Sequence, residues 1–408
     1  MSQKNDNIDN KLGLYFHIPF CDNLCHYCDF AKTANWNSSL TDKYFVLLEE
    51  HLKFWIHYLQ ESRNAFEFTS VFFGGGTPGL FADEMKPLFE AFLPMMQEGC
   101  EVSLEANPNN ISEEKLLKWH ELGITRISLG IQTFDNSGLN VLKRDHDHIS
   151  ALKALELLRN FGKFSVNLDL IYGWPGQSLN SWMTDIKRAI DSGIQHISLY
   201  NLIYEKRTPL GRRFFRGAVT NSPNEEQEVE FYEHARRELA INGFIHEEVS
   251  NWCKDGHTCE HNWLYWQDGS YVGVGSGAHG YLVLDDLKIG LRYSYPRNER
   301  FFTTPVKTRS PAASSEMLLE QLEVENRDDD SWLLEYVGCA LRSVRGVDLK
   351  RIGQKIGRIF RPTPIIAHAL KNGSLKIDSE SILTLAPSEW IRETHWSLAV
   401  SECFLSEP

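Results

Sequence analysis

The chain has 408 residues, of which 42% are apolar and 24% charged, and its 42 basic and 55 acidic side chains leave a formal charge of −13. Such a composition excludes a mostly disordered or fibrous chain. The acidic balance also argues against a general nucleic-acid binder, which would carry a basic footprint. Apolar runs such as 44–48 and 71–73 fall far short of the ~20 residues that cross a bilayer. The opening MSQKNDNIDNK is polar and lacks the apolar core of a secretion signal, so the expected location is the cytoplasm.

In chain order, runs rich in β-branched and aromatic residues predict strands at 12–18, 68–73, 101–105, 124–131, 164–172 and 195–203. Helical patterns lie between them at 39–60, 81–97, 112–122, 148–161 and 179–192. Ser112 is an N-cap candidate, but Lys115 three residues on gives no capping box. Strand and helix alternating in this way imply parallel pairing with helices outside. Six such units fit an incomplete (β/α)6 barrel, with a doubly wound sheet as the competing α/β architecture.

The alternation stops near residue 215. The segment 217–227 reads as a linker, 225–242 as an amphipathic helix, 246–300 as a Trp- and Gly-rich extension, and 303–315 as a Pro/Ser/Ala stretch. Acidic 326–330 precedes a helix over 331–344 with Trp332, Tyr336, Ala340 and Leu341 on one face. Helices at 348–357 and 363–371 and short strands at 374–378 and 381–386 then predict a small α+β, winged-helix-like module.

Eight cysteines need no disulfides in a reducing compartment. Three of them are crowded as Cys21-x3-Cys25-x2-Cys28, in a loop directly after the first strand. Thiolates are soft ligands suited to iron–sulfur clusters or zinc. A structural zinc site wants four closed ligands, so zinc would need His26 or a distant group to complete it. Three thiolates on a four-iron cubane instead leave one iron open.

Gly74-Gly75-Gly76-Thr77-Pro78 follows the second strand. Glycines let main chain approach where a Cβ would clash, and without the Lys-Ser/Thr ending this is not a phosphate loop. Glu105, Gln132 and Asp169 end the third, fourth and fifth strands. Polar residues on successive strand ends are how a barrel builds a site at its carboxyl face.

The cysteine spacing resembles the signature of the radical S-adenosylmethionine superfamily. Within it, YFHIPFC, FFGGGTP, SLEANP, RISLGIQTF, NLDLIYGWPGQ and HISLYNL resemble the coproporphyrinogen III oxidase-like group, over the chain from Leu14 to about Pro387. The resemblance implies a 4Fe-4S cluster on Cys21, Cys25 and Cys28. It also implies that Tyr15, Tyr27, Gly75, Gly76, Thr77, Glu105, Gln132, Arg144, Asp169 and Ile203 line S-adenosylmethionine. Tyr27 can pack on adenine, Glu105 can meet the cationic end, Asp169 can accept from hydroxyls, and Arg144 can pair with a carboxylate. The domains then read as a radical core over 1–240, a haem-side extension and linker over 241–316, and the group's C-terminal domain over 317–390.

Oxidases of the group carry a longer N-terminal arm and a fourth cysteine two residues after the third. Here Phe30 stands at that position and 20 residues precede Cys21. His261-Asn262-Trp263-Leu264-Tyr265 matches the HNxxY motif of the group's haem chaperones, the HemW branch, in which it is proposed to bind haem. By resemblance His261 is therefore a candidate iron ligand, although a lone histidine is by default a hydrogen-bonded structural one. The chaperone branch implies haem, recipient haemoproteins and an electron donor as partners, and allows peripheral contact with membrane-bound respiratory proteins. Three positions depart from the group: Lys143 where Gly is usual, Lys206-Arg207 for Pro-Gly, and Gly280 for Ser.

Three other patterns lead elsewhere. Gly273-x-Gly275-x-x-Ala278 imitates a dinucleotide fingerprint but runs on into strand-like 281–284. Cys253, His257, Cys259 and His261 have irregular spacings for zinc. Over 342–361, seven basic residues (Arg342, Arg345, Lys350, Arg351, Lys355, Arg358, Arg361) face only Asp348, a pattern more often a solvated face than a nucleic-acid surface. The resemblance makes this C-terminal module a cover over the substrate side or a docking surface.

Overall fold

The computed structural model describes residues 11–62, 65–284, 287–297 and 321–404. The polar opening and the 303–315 stretch lie outside the described residues. Strands β1 (Leu12–Ile18), β2 (Phe68–Gly75), β3 (Met96–Ala106), β4 (Arg126–Gln132), β5 (Ser165–Tyr172) and β6 (His196–Asn201) pair in parallel, each with the next. This sequential order is the incomplete barrel; a doubly wound sheet would reverse about an inner strand.

Strand alternation makes the barrel interior polar. On β1, Leu12, Leu14, Phe16 and Ile18 are buried in the main core, which puts Gly13, Tyr15 and His17 on the opposite, interior face. Ser128, Asn167 and His196 sit side by side across β4, β5 and β6, and one step on Gly130, Asp169 and Ser198 do the same. Outside lie α1 (Ser38–Ser62), α2 (Lys86–Phe92), α3 (Glu113–Leu122), α4 (Asn136–Leu142), α5 (His148–Phe161) and α6 (Leu179–Asp191). Ser112 caps α3 by accepting from the Lys115 N–H at 3.3 Å. The reading missed α4, a short helix ended by Lys143 in the left-handed region at φ +60°. There a glycine costs nothing, which explains the group's usual residue.

The parallel alternation ends after β6, near 215 as expected, but the packing continues. After α7 (Pro209–Phe215), α8 (Glu225–Ile241) packs Phe231, Tyr232, Ala235 and Leu239 into the main core, and the Trp182 indole donates to the Phe231 carbonyl at 2.9 Å. The proposed linker is only the loop before α8. The extension is not separate either. Strands β7 (Ile245–Glu248) and β8 (Asn251–Cys253) continue the sheet beyond β6, while β9 (Ser270–Val274), β10 (His279–Leu284), β11 (Leu287–Ser294) and β12 (Glu323–Glu325) continue it beyond β1. Val272, Leu282 and Tyr293 share the barrel's core, so residue 240 marks no break in packing. Between the two sheet edges, α9 (Glu260–Trp266) packs on the interior side of β1 and β2.

The departure at Gly280 has a steric cause: a β-carbon there would come within 2.1 Å of the Tyr293 ring. That ring stacks on Trp55 at 4.4 Å and donates from its hydroxyl to the Gly273 carbonyl at 3.1 Å. Gly273 lies in β9, which leads to another strand, so the fingerprint opens no helix.

The C-terminal module comprises α10 (Asp329–Leu341), the short strand β13 (Val347–Asp348), α11 (Leu349–Ile356), α12 (Pro364–Asn372), the hairpin β14 (Leu375–Ile377) and β15 (Ile382–Leu385), and α13 (Glu393–Glu402), with β13 pairing to β15. Its core includes Trp332, Tyr336, Ala340 and Leu341 and runs past 390 to Val400, Cys403 and Phe404, so the module is longer than predicted. Most of its basic run is neither solvated nor free for nucleic acid. Arg342 bonds Glu248 at 3.3 Å, Arg345 lies 3.8 Å over Trp263, and Arg351 and Lys355 reach Asp268 at 2.9 and 2.7 Å. On the other edge Lys288 meets Asp329 at 2.9 Å, so the module spans the gap in the sheet.

Candidate functional site

The cysteine loop leaves β1 at Ile18 and is tied at its base, where the Cys21 N–H donates to the Thr33 carbonyl at 3.0 Å and the Thr33 N–H to Pro19 at 2.8 Å. The glycine loop is sewn to it: the Gly76 N–H donates to Ile18 at 2.7 Å and the Thr77 N–H to Phe20 at 2.8 Å. A β-carbon on Gly76 would lie 2.6 Å from the Phe20 carbonyl oxygen. Gly75, at φ +112°, would put one 2.7 Å from the His17 ring. The glycines therefore serve first to bring the two loops together.

Above the strand ends is a cavity of about 570 Å³ lined by Cys21, Cys25, Cys28, Tyr27, Gly75, Gly76, Thr77, Glu105, Gln132, Arg144, Asp169 and Ile203. Every predicted cluster and cofactor residue except Tyr15 and His261 is in that wall. Tyr15 instead lies beneath it, lining a second cavity of about 200 Å³ with Phe72, Arg126 and His196. Its hydroxyl donates to His17 Nδ1 at 3.1 Å, because His17 Nε2 must donate to the Ala31 carbonyl at 2.7 Å. Tyr15 thus braces the histidine that backs Gly75.

Burial pushes the Cys21 thiol up to about 12, opposed by a hydrogen bond from Thr77. Arg144 donates to Cys25 Sγ at 3.1 Å and to Asn107 Oδ1 at 2.6 Å. Its two terminal nitrogens are thus engaged with a thiol and an amide, while its Nε is buried without a partner among the described residues. Three thiols in one wall beside a half-buried guanidinium fit a soft metal cluster, which takes them as thiolates.

Burial, and after it the Asp169 charge, pushes Glu105 up to about 8 although it accepts from the Gly75 N–H at 3.0 Å. Burial also raises Asp169, against hydrogen bonds from Ser128 at 2.9 Å and Asn167 at 2.8 Å. Two buried acids in one cavity suit a cationic ligand. Gln132 adopts φ +70° at a break in the β4–β5 register, the kind of strain that collects at functional sites.

His261 is fully buried. Its Nδ1 is 2.8 Å from Ser70 Oγ and its Nε2 2.8 Å from Tyr265 Oη, and burial holds it down at about 3. With both ring nitrogens hydrogen-bonded, His261 holds the structural role that is the default for a lone histidine, while its ring also lines the cavity of about 200 Å³ beneath the cluster cavity. The motif builds a structural post: Glu101 accepts from the His261 N–H at 3.3 Å, and α9 is pinned to β2 and β3. The irregular zinc set disperses as well, with the Cys259 thiol directed to Glu101 and His257 to Ser165 at 3.2 Å.

Sequence reasoning missed Asn107 and Ser128, although SLEANP and RISLGIQTF contain them. It also missed Asp29, which accepts from Arg207 at 2.6 Å and from which Arg297 stands 3.8 Å away. The Lys206-Arg207 departure thereby anchors the cysteine loop.

The family description of the radical SAM superfamily matches residues 15–189. A Lactococcus lactis protein named heme chaperone HemW is 35% identical over 282 residues, 68% of this chain and 70% of that one. The Bacillus subtilis protein of the same name is 32% identical over 379 residues, 91% of this chain and 94% of its own length. Among solved structures, coproporphyrinogen III oxidase (HemN) from Escherichia coli overlays with a TM-score of 0.74 at 19% identity, covering 97% of this chain and 90% of that one. With a cysteine loop, glycine loop and acid pair converging on one cavity, and relatives alike along most of their length, the chain belongs to the HemW family of the radical SAM superfamily.

Proposed function

We propose that this protein is a cytoplasmic haem chaperone that holds a 4Fe-4S cluster on Cys21, Cys25 and Cys28, binds S-adenosylmethionine in the adjoining cavity, and delivers haem to haemoproteins. The observation that carries this reading is the likeness to relatives named as haem chaperones, one of which spans 91% of the chain. Phe30, with an exposure of 65%, stands where the oxidases have a fourth cysteine. Bound together, the cluster and S-adenosylmethionine supply one-electron chemistry. This chain's own residues do the holding: Tyr27 offers a face for adenine, Glu105 a carboxylate for the ammonium and sulfonium charge, and Asp169 an acceptor for the ribose. Arg144 keeps Cys25 next to a positive charge.

A second reading, porphyrinogen oxidase, is favoured by the overlay on the Escherichia coli oxidase, which at 19% identity is a likeness of fold alone. Haem transfer separates the two. Anaerobically reconstituted protein, loaded with ferric haem and mixed with an apo-haemoprotein, should pass the haem on. A protein that retains no haem through gel filtration contradicts the chaperone reading.

A further inference from the structure

The floor of the barrel leaves a cavity of only about 200 Å³, walled on one side by α9, whose His261 is hydrogen-bonded between Ser70 and Tyr265. The mouth of the cluster cavity is built differently. Phe30 and Ile203 are exposed there at 65% and 69%, and Tyr200 at 42%. All three line the same cavity wall, together with Asp29 and Arg297. These apolar groups surround a concavity rather than a convex patch.

Charge completes the pattern. On a chain of net charge −13, the mouth gathers two guanidiniums about one carboxylate: Arg207 at 2.6 Å and Arg297 at 3.8 Å from Asp29. Glu205 and Lys32 line the same wall and offset each other, so the two guanidiniums against Asp29 leave a surplus cation, and the two guanidinium side chains remain 70% and 44% exposed. Asp29 orients both guanidiniums without using up their donors, which number five each. A flat apolar face beside a forked cationic edge is complementary to a planar macrocycle bearing carboxylates.

Resting on the haem-chaperone reading, we propose that the porphyrin is seated at this mouth. Its ring lies against Phe30, Ile203 and Tyr200, its propionates meet Arg207 and Arg297, and recognition is through the macrocycle and its acids rather than through an axial bond from His261. Phe30 is the position where the chain departs from the oxidase pattern, and Arg207 is one where it departs from the whole group, so the propionate contact at Arg207 is particular to this chain.

The test is a titration of the reconstituted full-length protein, in the presence of S-adenosylmethionine, with ferric haem, metal-free protoporphyrin IX and protoporphyrin IX dimethyl ester. Haem and the metal-free diacid should bind with similar affinity. Arg207→Glu with Arg297→Glu should weaken both by about tenfold or more, the scale of a lost charge-assisted contact, while leaving the weaker diester unchanged. Phe30→Glu should weaken all three. These side chains are exposed, and a melting curve on each variant checks that folding is intact. Wild-type binding that all three substitutions leave untouched overturns the location alone. So does binding of haem without binding of the metal-free ring, which would require an iron ligand. Failure of the wild type to bind any of the three overturns the chaperone reading along with it.

Discussion

His261 Nε2 lies 2.8 Å from Tyr265 Oη, one turn along the same helix, and the other ring nitrogen lies 2.8 Å from Ser70 on β2. The distinguishing motif is thus a buried crossbeam. His261→Ala would leave two hydroxyls unpartnered and open a void against Gly13 and Leu264, so it should destabilise the fold by about 2–4 kcal/mol. Its haem absorption spectrum should be unchanged at temperatures where it remains folded. A shifted or absent haem band in a folded variant would restore the histidine as a ligand.

Glu105 predicts a proton signature. Held at about 8, its carboxyl is mostly protonated at pH 7, and a cationic ligand would favour the charged form. Binding of S-adenosylmethionine should release up to about one proton per site at pH 7 and tighten as pH rises toward 8. Calorimetry in buffers of different ionisation enthalpy reads this directly. Glu105→Gln should abolish the release and weaken binding by about 1–3 kcal/mol. Proton release that survives the substitution would assign it to another group.

Gly280→Ser would drive a side chain into the Tyr293 ring and should cost about 2–3 kcal/mol. Tyr293→Leu should recover part of that loss in the double variant, although alone it destabilises. Additive melting-temperature losses would refute the steric account.

Lys143 ends α4 with φ +60°. Lys143→Gly removes β-carbon strain but loosens the unfolded chain, for a net gain of up to about 1 kcal/mol, whereas Lys143→Val should lose about 1–2 kcal/mol. Denaturant midpoints for the pair should move in opposite directions.

Strand periodicity made the barrel legible, because each strand carries two different faces. Leu14 and Phe16 announce a core while Tyr15 and His17 point to the interior, and every one of the six predicted strands is present. That the motif residues would line one cavity was equally readable, since residues at strand ends converge in any barrel of this kind. What was not readable depends on contacts distant in sequence. The basic run at 342–361 looks solvated until Asp268 and Glu248 are seen beneath it. Asp29 looks like an ordinary loop acid until Arg207 and Arg297, 178 and 268 residues further on, reach its loop. His261 looked like a ligand by resemblance, and only the positions of Ser70 and Tyr265 reveal that both its nitrogens are hydrogen-bonded.

The most direct test of the central claim compares two parallel anaerobic reactions. Reconstituted, reduced protein is given coproporphyrinogen III and S-adenosylmethionine in one vessel, and ferric haem with an apo-haemoprotein in the other. The account predicts haem transfer in the second and no catalytic turnover in the first. Triple replacement of Cys21, Cys25 and Cys28 by Ala should remove the cluster's iron and its visible absorption. Repeated conversion of coproporphyrinogen III to protoporphyrinogen IX, without haem transfer, would contradict it.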